Sequence, residues 1–190
     1  MNSIQKYLLE FQSVIGQTPM DQIERVIHLL YKTWKQSGKI FILGNGGSAS
    51  TATHMANDLA KATIVAGKPR VKAIALTDCI SLITAWANDS SYESIFKEQL
   101  ENLLDKGDLV LGISASGNSP NVLRAMEFAR KMEATTIGWT GLSGGKLRSM
   151  VDHCLQSPTD DVGMIEGAHM VIEHLVANQL FELIRDDTTV

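Results

Sequence analysis

Apolar residues recur along this chain with two different periods, and the switches between them outline its elements. Ile4, Tyr7, Leu8, Phe11 and Val14 fall three or four residues apart, which predicts a helix over residues 3–15. After the Thr18-Pro19 break, Ile23, Val26, Ile27, Leu30, Tyr31 and Trp34 repeat that spacing up to Gly38. From Lys39 onward, short apolar runs alternate with helical stretches. Lys39 to Leu43, Val71 to Leu76, Leu109 to Ile113, Ala134 to Thr140 and His153 to Gln156 read as strands. Helices are predicted from Ser48 to Ala62, about Cys79 to Asn88, about Tyr92 to Leu104, Pro120 to about Met132, near Lys146 to Met150, and in a long final stretch to about Arg185. Ser119 before Pro120 has the arrangement of an N-cap followed by proline at the first helical position.

Such alternation calls for the α/β class, with a doubly wound parallel sheet layered between helices. Residues 1–190 read as a single domain. Within it, 1–37 form a helical pair expected in oligomer contacts, 38–190 carry the sheet core and last helix, and Asp186 to Val190 are expected to fray. In sheets of this kind ligands sit outside the carboxyl ends of the strands, at the switch point of strand order. Three such ends are rich in Gly, Ser and Thr: Gly44 to Ser50, Ser114 to Ser119, and Thr140 to Gly145.

Composition narrows the function. The 190 residues are 44% hydrophobic and carry a net charge of −4, enough for one well-filled core. No stripe of Lys and Arg suggests a nucleic-acid or anionic-membrane surface. Cys79 and Cys154 lack metal-ligand spacing and are expected as buried free thiols of a reducing compartment. With no signal peptide or membrane-length apolar run, the expected location is the cytoplasm.

The stretch Gly44-Asn45-Gly46-Gly47-Ser48-Ala49-Ser50 joins a buried strand to a helix, which makes it an anion cradle. Gly46 and Gly47 let backbone amides converge, Ser48 adds a hydroxyl, and the first helical turn offers unpaired N–H groups and the positive end of its dipole. Gly44, Gly46 and Ala49 also match a relaxed dinucleotide fingerprint, but the acidic residue expected roughly 20 positions on is absent, and Asp78 lies far beyond that distance. With no Lys after the glycines for a Walker motif, no nucleotide cofactor is expected. In the second loop, Ser114, Ala115, Ser116 and Ser119 supply hydroxyls and amides suited to a phosphate monoester. Ser119 is expected to cap the following helix as well.

The pairing of GNGGSAS with GISASGNS, together with Ala73-Ile74-Ala75-Leu76-Thr77-Asp78, Ala87-Asn88-Asp89 and a His-bearing last helix, resembles the sugar isomerase (SIS) fold, and within it the phosphoheptose isomerases. The resemblance runs in order over nearly the whole chain. It implies a five-stranded parallel sheet, a homotetramer with sites between subunits, and phosphate held by Ser48, Ser114, Ser116 and Ser119. It further implies that Asn45 and Asp78 line the sugar site. The implied partners are a phosphorylated sugar and further copies of the chain, with neither a membrane nor nucleic acid.

Aldose–ketose interconversion requires a base, an acid and a group to stabilise the enediolate between them. His54 and Asp58, spaced i, i+4 after the phosphate loop, suit a base with a partner or two ligands of one metal. On the last helix stand Glu166, His169, Glu173 and His174. By resemblance His174 is the second acid/base group, Asp58 stands where the family has a Glu base, and Glu166 where it has a Gln. The same resemblance makes His54, Asp58, Glu166 and His174 the ligand set of a divalent metal, for which Zn is expected. Eight helical residues rise about 12 Å, so that set requires Glu166 in the turn before the helix. His169 and Glu173 are expected as exposed or interface side chains, and His28 and His153 as structural. The function implied is isomerisation of sedoheptulose 7-phosphate to D-glycero-D-manno-heptose 7-phosphate. The alternative is a non-catalytic phosphosugar-binding or replication-initiator-associating adaptor.

Overall fold

A computed structural model of the chain describes residues 2–189. Two helices, α1 (Ser3–Gln17) and α2 (Met20–Lys35), precede β1 (Lys39–Gly44) and α3 (Gly47–Lys61). Next come β2 (Lys72–Ala75), α4 (Ile80–Asp89), a 3-10 turn at Tyr92–Ser94, α5 (Ile95–Leu103), β3 (Leu109–Ile113) and α6 (Pro120–Lys131). The chain closes with β4 (Thr135–Thr140), α7 (Leu147–Met150), β5 (His153–Gln156) and α8 (Val162–Asp186). All strands pair in parallel in the order β2-β1-β3-β4-β5. The expected α/β, five-stranded, doubly wound architecture is therefore the observed one.

Alternation along the central strands divides the core in two, because successive side chains point to opposite faces. Ile40 and Ile42 of β1 and Leu109, Leu111 and Ile113 of β3 pack with α2, α3 and α8. Phe41, Leu43 and Val110 face the other way, against α5, α6 and α7. On that second face Gly112 lets α6 approach closely, since a Cβ there would lie 3.0 Å from Met126 Sδ and from Val122 Cγ1.

Register positions the site. Gly44 pairs with Ile113, so the loops after β1 and β3 leave the sheet side by side at the point where strand order reverses. The two initial helices play different parts. α2 buries Val26, Leu30 and Trp34 in the core. It also covers the β5 edge, where Gln156 N donates to Gln22 Oε1 at 2.9 Å and His153 Nε2 bonds Gln22 O at 2.8 Å. α1 buries only Val14 and leaves Ile4, Tyr7, Leu8 and Leu9 exposed.

The C-terminal tail departs from expectation. Asp187 is buried, accepts the Tyr31 hydroxyl and pairs with Lys35 Nζ at 3.0 Å. Those partners, Tyr31 first, hold its carboxyl well below the usual range and pin the segment to α2. Val190 lies outside the described residues. Cys79 is likewise exposed rather than buried, while Cys154 is partly buried, and both are free thiols.

Candidate active site

The β1 loop turns through Gly46, whose φ of 56° favours glycine, and α3 begins at Gly47 with no side-chain cap. Ser48 is buried in that first turn. In the β3 loop Ser114 Oγ and Ser119 Oγ stand 2.9 Å apart, and Asn118 N donates to Ser116 Oγ at 3.2 Å. Ser119 occupies the N-cap of α6, yet its hydroxyl bonds Ser114 and makes no capping bond. The third glycine-rich loop buttresses the second. Gly141 N donates to Ala115 O and Leu147 N to Gly117 O, each at 2.9 Å.

Asn45 ties the first two loops together. Its amide exchanges paired hydrogen bonds with that of Asn121, at 2.8 and 2.9 Å, and its Oδ1 accepts the Tyr92 hydroxyl at 3.0 Å. Asn121 is buried at the start of α6 and also accepts Val122 N through Oδ1. Sequence reasoning missed Asn121 and Tyr92. The signal for Asn121 was a polar residue among apolar ones just after a proline helix start. For Tyr92 there was none, because its partner is distant in sequence. Asp78 Oδ1 accepts the Thr53 hydroxyl, and the two residues line a groove between α3 and β2.

Where α3 crosses α8, four ionisable side chains meet. His54, Asp58, Glu173 and His174 each present one ligand atom, and these atoms all lie within 4.8 Å of one another. His174 Nδ1 is 3.0 Å from Asp58 Oδ2 and hydrogen-bonded to it. The sequence pairs His54 with Asp58, but that contact is the looser one, at 3.7 Å. Glu173 Oε1 lies 3.5 Å from His54 Nε2 and 3.2 Å from His174 Nδ1. His54 and His174 stay half-exposed while Glu173 is fully buried. Burial pushes the Glu173 carboxyl up to about 7, against the pull of the neighbouring His174. His54 opens onto a groove of ≈ 540 Å³ that Ser50, Thr53 and Thr77 also line.

Two expectations are corrected here. Glu166 is inside α8, not in the turn before it, and it does not join the cluster. Its carboxylate lies over the start of α3, where a Cβ on Gly47 would be 2.3 Å from Cδ and from both oxygens. Glu173 stands in the cluster instead, buried rather than exposed. Its signal was phase, since His169, Glu173 and Ala177 follow one another at i, i+4 along the stripe that α8 buries. His169 is also buried, with Nε2 3.3 Å from Thr140 O and its ring against Trp139, and burial lowers its pKa to about 4. Two imidazoles and two carboxylates converging from two helices form a donor set suited to zinc or a similar divalent ion.

A family model described as SIS domain matches residues 5–141. The phosphoheptose isomerase of Helicobacter pylori is 41% identical over 158 residues, 83% of this chain and 82% of its own length. That of Akkermansia muciniphila is 40% identical over 154 residues, 81% of each protein. Among solved structures, a phosphoheptose isomerase from Neisseria gonorrhoeae superposes with a TM-score of 0.87 at 28% identity, covering 94% of this chain and 97% of its own. By that family match and those relatives, the chain belongs to the SIS-domain family, among its phosphoheptose isomerases.

Proposed function

We propose that the chain isomerises sedoheptulose 7-phosphate to D-glycero-D-manno-heptose 7-phosphate. The observation that carries the reaction type is the Asp58–His174 pair, because a non-catalytic phosphosugar binder has no use for a coupled acid and base beside its ligand. The serine hydroxyls of Ser48, Ser114, Ser116 and Ser119, with the amides of Gly46, Gly47 and Ala115, hold the phosphate at the starts of α3 and α6. Asn45, Asp78 and Glu166 face the sugar hydroxyls.

Asp58 takes the proton from the carbon beside the carbonyl, and His174 delivers a proton to the neighbouring carbon. Without a metal, the hydrogen bond between them fixes the His174 ring beside Asp58. His54, Asp58 and His174 would hold a divalent metal, which would polarise the substrate carbonyl and stabilise the enediolate. The exposed apolar residues of α1, together with Ile80 and Leu82 on α4, a helix that buries none of its residues, support assembly into a homo-oligomer, with a tetramer as our reading. No helix among the described residues is long and apolar enough to cross a membrane, and we place the enzyme in the cytoplasm.

Turnover of purified protein with sedoheptulose 7-phosphate, measured as isolated, after chelation and after adding back Zn(II), tests the reading. Activity lost on chelation and restored by metal is expected. Binding of the phosphosugar without turnover under any condition would reduce the site to a sensor's pocket.

A further inference from the structure

We infer that Glu173, and not Glu166, completes the divalent-metal site, so that α3 supplies His54 and Asp58 while α8 supplies the adjacent pair Glu173 and His174. The inference rests on the metal reading above and adds a ligand to it.

Three observations carry it. Spacing comes first. Tetrahedral zinc with bonds of about 2.0–2.1 Å sets its ligand atoms roughly 3.3–3.4 Å apart. In the structure His54 Nε2 is 3.7 Å from Asp58 Oδ2 and 3.5 Å from Glu173 Oε1, while His174 Nδ1 is 3.0 Å from Asp58 Oδ2 and 3.2 Å from Glu173 Oε1. Four of the six donor separations thus lie near the tetrahedral value, and all four atoms fall within 4.8 Å of one another.

The second observation is that Glu173 is fully buried and neither carboxylate oxygen has a hydrogen-bond partner. A buried carboxylate in that condition is costly unless a cation or donors meet it, and the groups facing it are the two imidazoles and Asp58. A cation shared by all four residues would give the Glu173 carboxylate the partner it lacks. Third, Glu166 is committed elsewhere. It is two helical turns away on α8, a rise of about 10 Å, and its carboxylate rests on the Gly47 backbone at the head of α3. There it lies at the phosphate loop, outside the four-residue cluster. α8 therefore carries two carboxylates with separate duties, one at each end of the site.

Zn(II) titration of the chelator-stripped protein against a competing chromophoric chelator, without substrate, provides the test. Wild type should bind one Zn(II) per chain. E173Q should lose at least about 100-fold in affinity, beyond the roughly 10- to 100-fold that removal of a mere supporting residue costs, whereas E166Q should stay within about 10-fold of wild type. Thermal unfolding of the stripped proteins controls for folding: E173Q should be no less stable than wild type without metal, and should lose most of the Zn-induced rise in Tm. E173D, which keeps the carboxylate, should bind more tightly than E173Q. Unchanged Zn(II) affinity in E173Q, or loss confined to E166Q, overturns the assignment of Glu173 alone. If wild type takes up no Zn(II), the metal reading falls with it, while turnover of the stripped enzyme would leave the isomerase reading standing.

Discussion

His174 Nδ1 and Asp58 Oδ2 lie 3.0 Å apart, in hydrogen-bond contact across the α3–α8 crossing, although 116 positions separate them in sequence. That bond gives the imidazole a fixed orientation and the carboxylate a partner that can exchange its proton. D58N keeps the shape and removes the basicity. It should lower kcat by about 10²- to 10⁴-fold, and because Asp58 is partly exposed, stability should change by no more than about 1 kcal/mol. Steady-state kinetics beside thermal unfolding decides it; near-normal kcat in D58N would remove Asp58 from the chemistry.

The glycines of the two loops should respond differently to a methyl group. At Gly47 the three atoms nearest the added Cβ all belong to the far end of the Glu166 side chain, which can swing aside. G47A should therefore fold normally while losing activity through a displaced Glu166. At Gly117, where φ is 63°, the Cβ would lie 2.0 Å from the Gly144 carbonyl oxygen. G117A should cost at least about 3 kcal/mol, combining a left-handed backbone with overpacking. Equal unfolding midpoints for the two variants would contradict this contrast.

Ser116 is exposed in the β3 loop, and the hydrogen bond it accepts, from Asn118 N, is local. S116A should leave Tm nearly unchanged. Losing one hydrogen bond to a charged phosphate should raise KM by roughly 10- to 100-fold with a much smaller effect on kcat. A fall in kcat at constant KM would place Ser116 with the reacting carbons and away from the phosphate.

His169 should make the fold acid-sensitive. Its folded pKa is about 4, held down by burial, against about 6.5 in an unfolded chain. Below the unfolded value the unfolded chain takes up a proton that the native state refuses. Stability therefore falls as pH drops from about 6.5 to 4, by up to about 3 kcal/mol from this group. H169N cannot charge in that window, so its Tm should decline less steeply than wild type over it. Parallel Tm–pH curves for the two proteins would argue against the buried neutral imidazole.

Much of this was written into local sequence. The five apolar runs, the Ser119-Pro120 start of α6 and the glycine-serine turns determine strands, helices and anion cradles, because each depends on periodicity, caps and backbone freedom within a few residues. Those elements also determined the sheet class and identified the serine loops as the chemical end of the molecule. What tertiary structure alone decided is which side chains meet. Asp58 reads as the partner of His54 along one helix, yet its close contact is His174 on another. Glu166 and Glu173 are both carboxylates on α8, and only the angle and register at which α8 crosses α3 send one to Gly47 and the other to the histidines. The tail shows the same division: Asp187 looks like part of a polar, fraying end until Tyr31 and Lys35 of α2 are brought beside it. Helix packing fixes such pairs through the sum of many apolar contacts, so no short stretch of sequence encodes them.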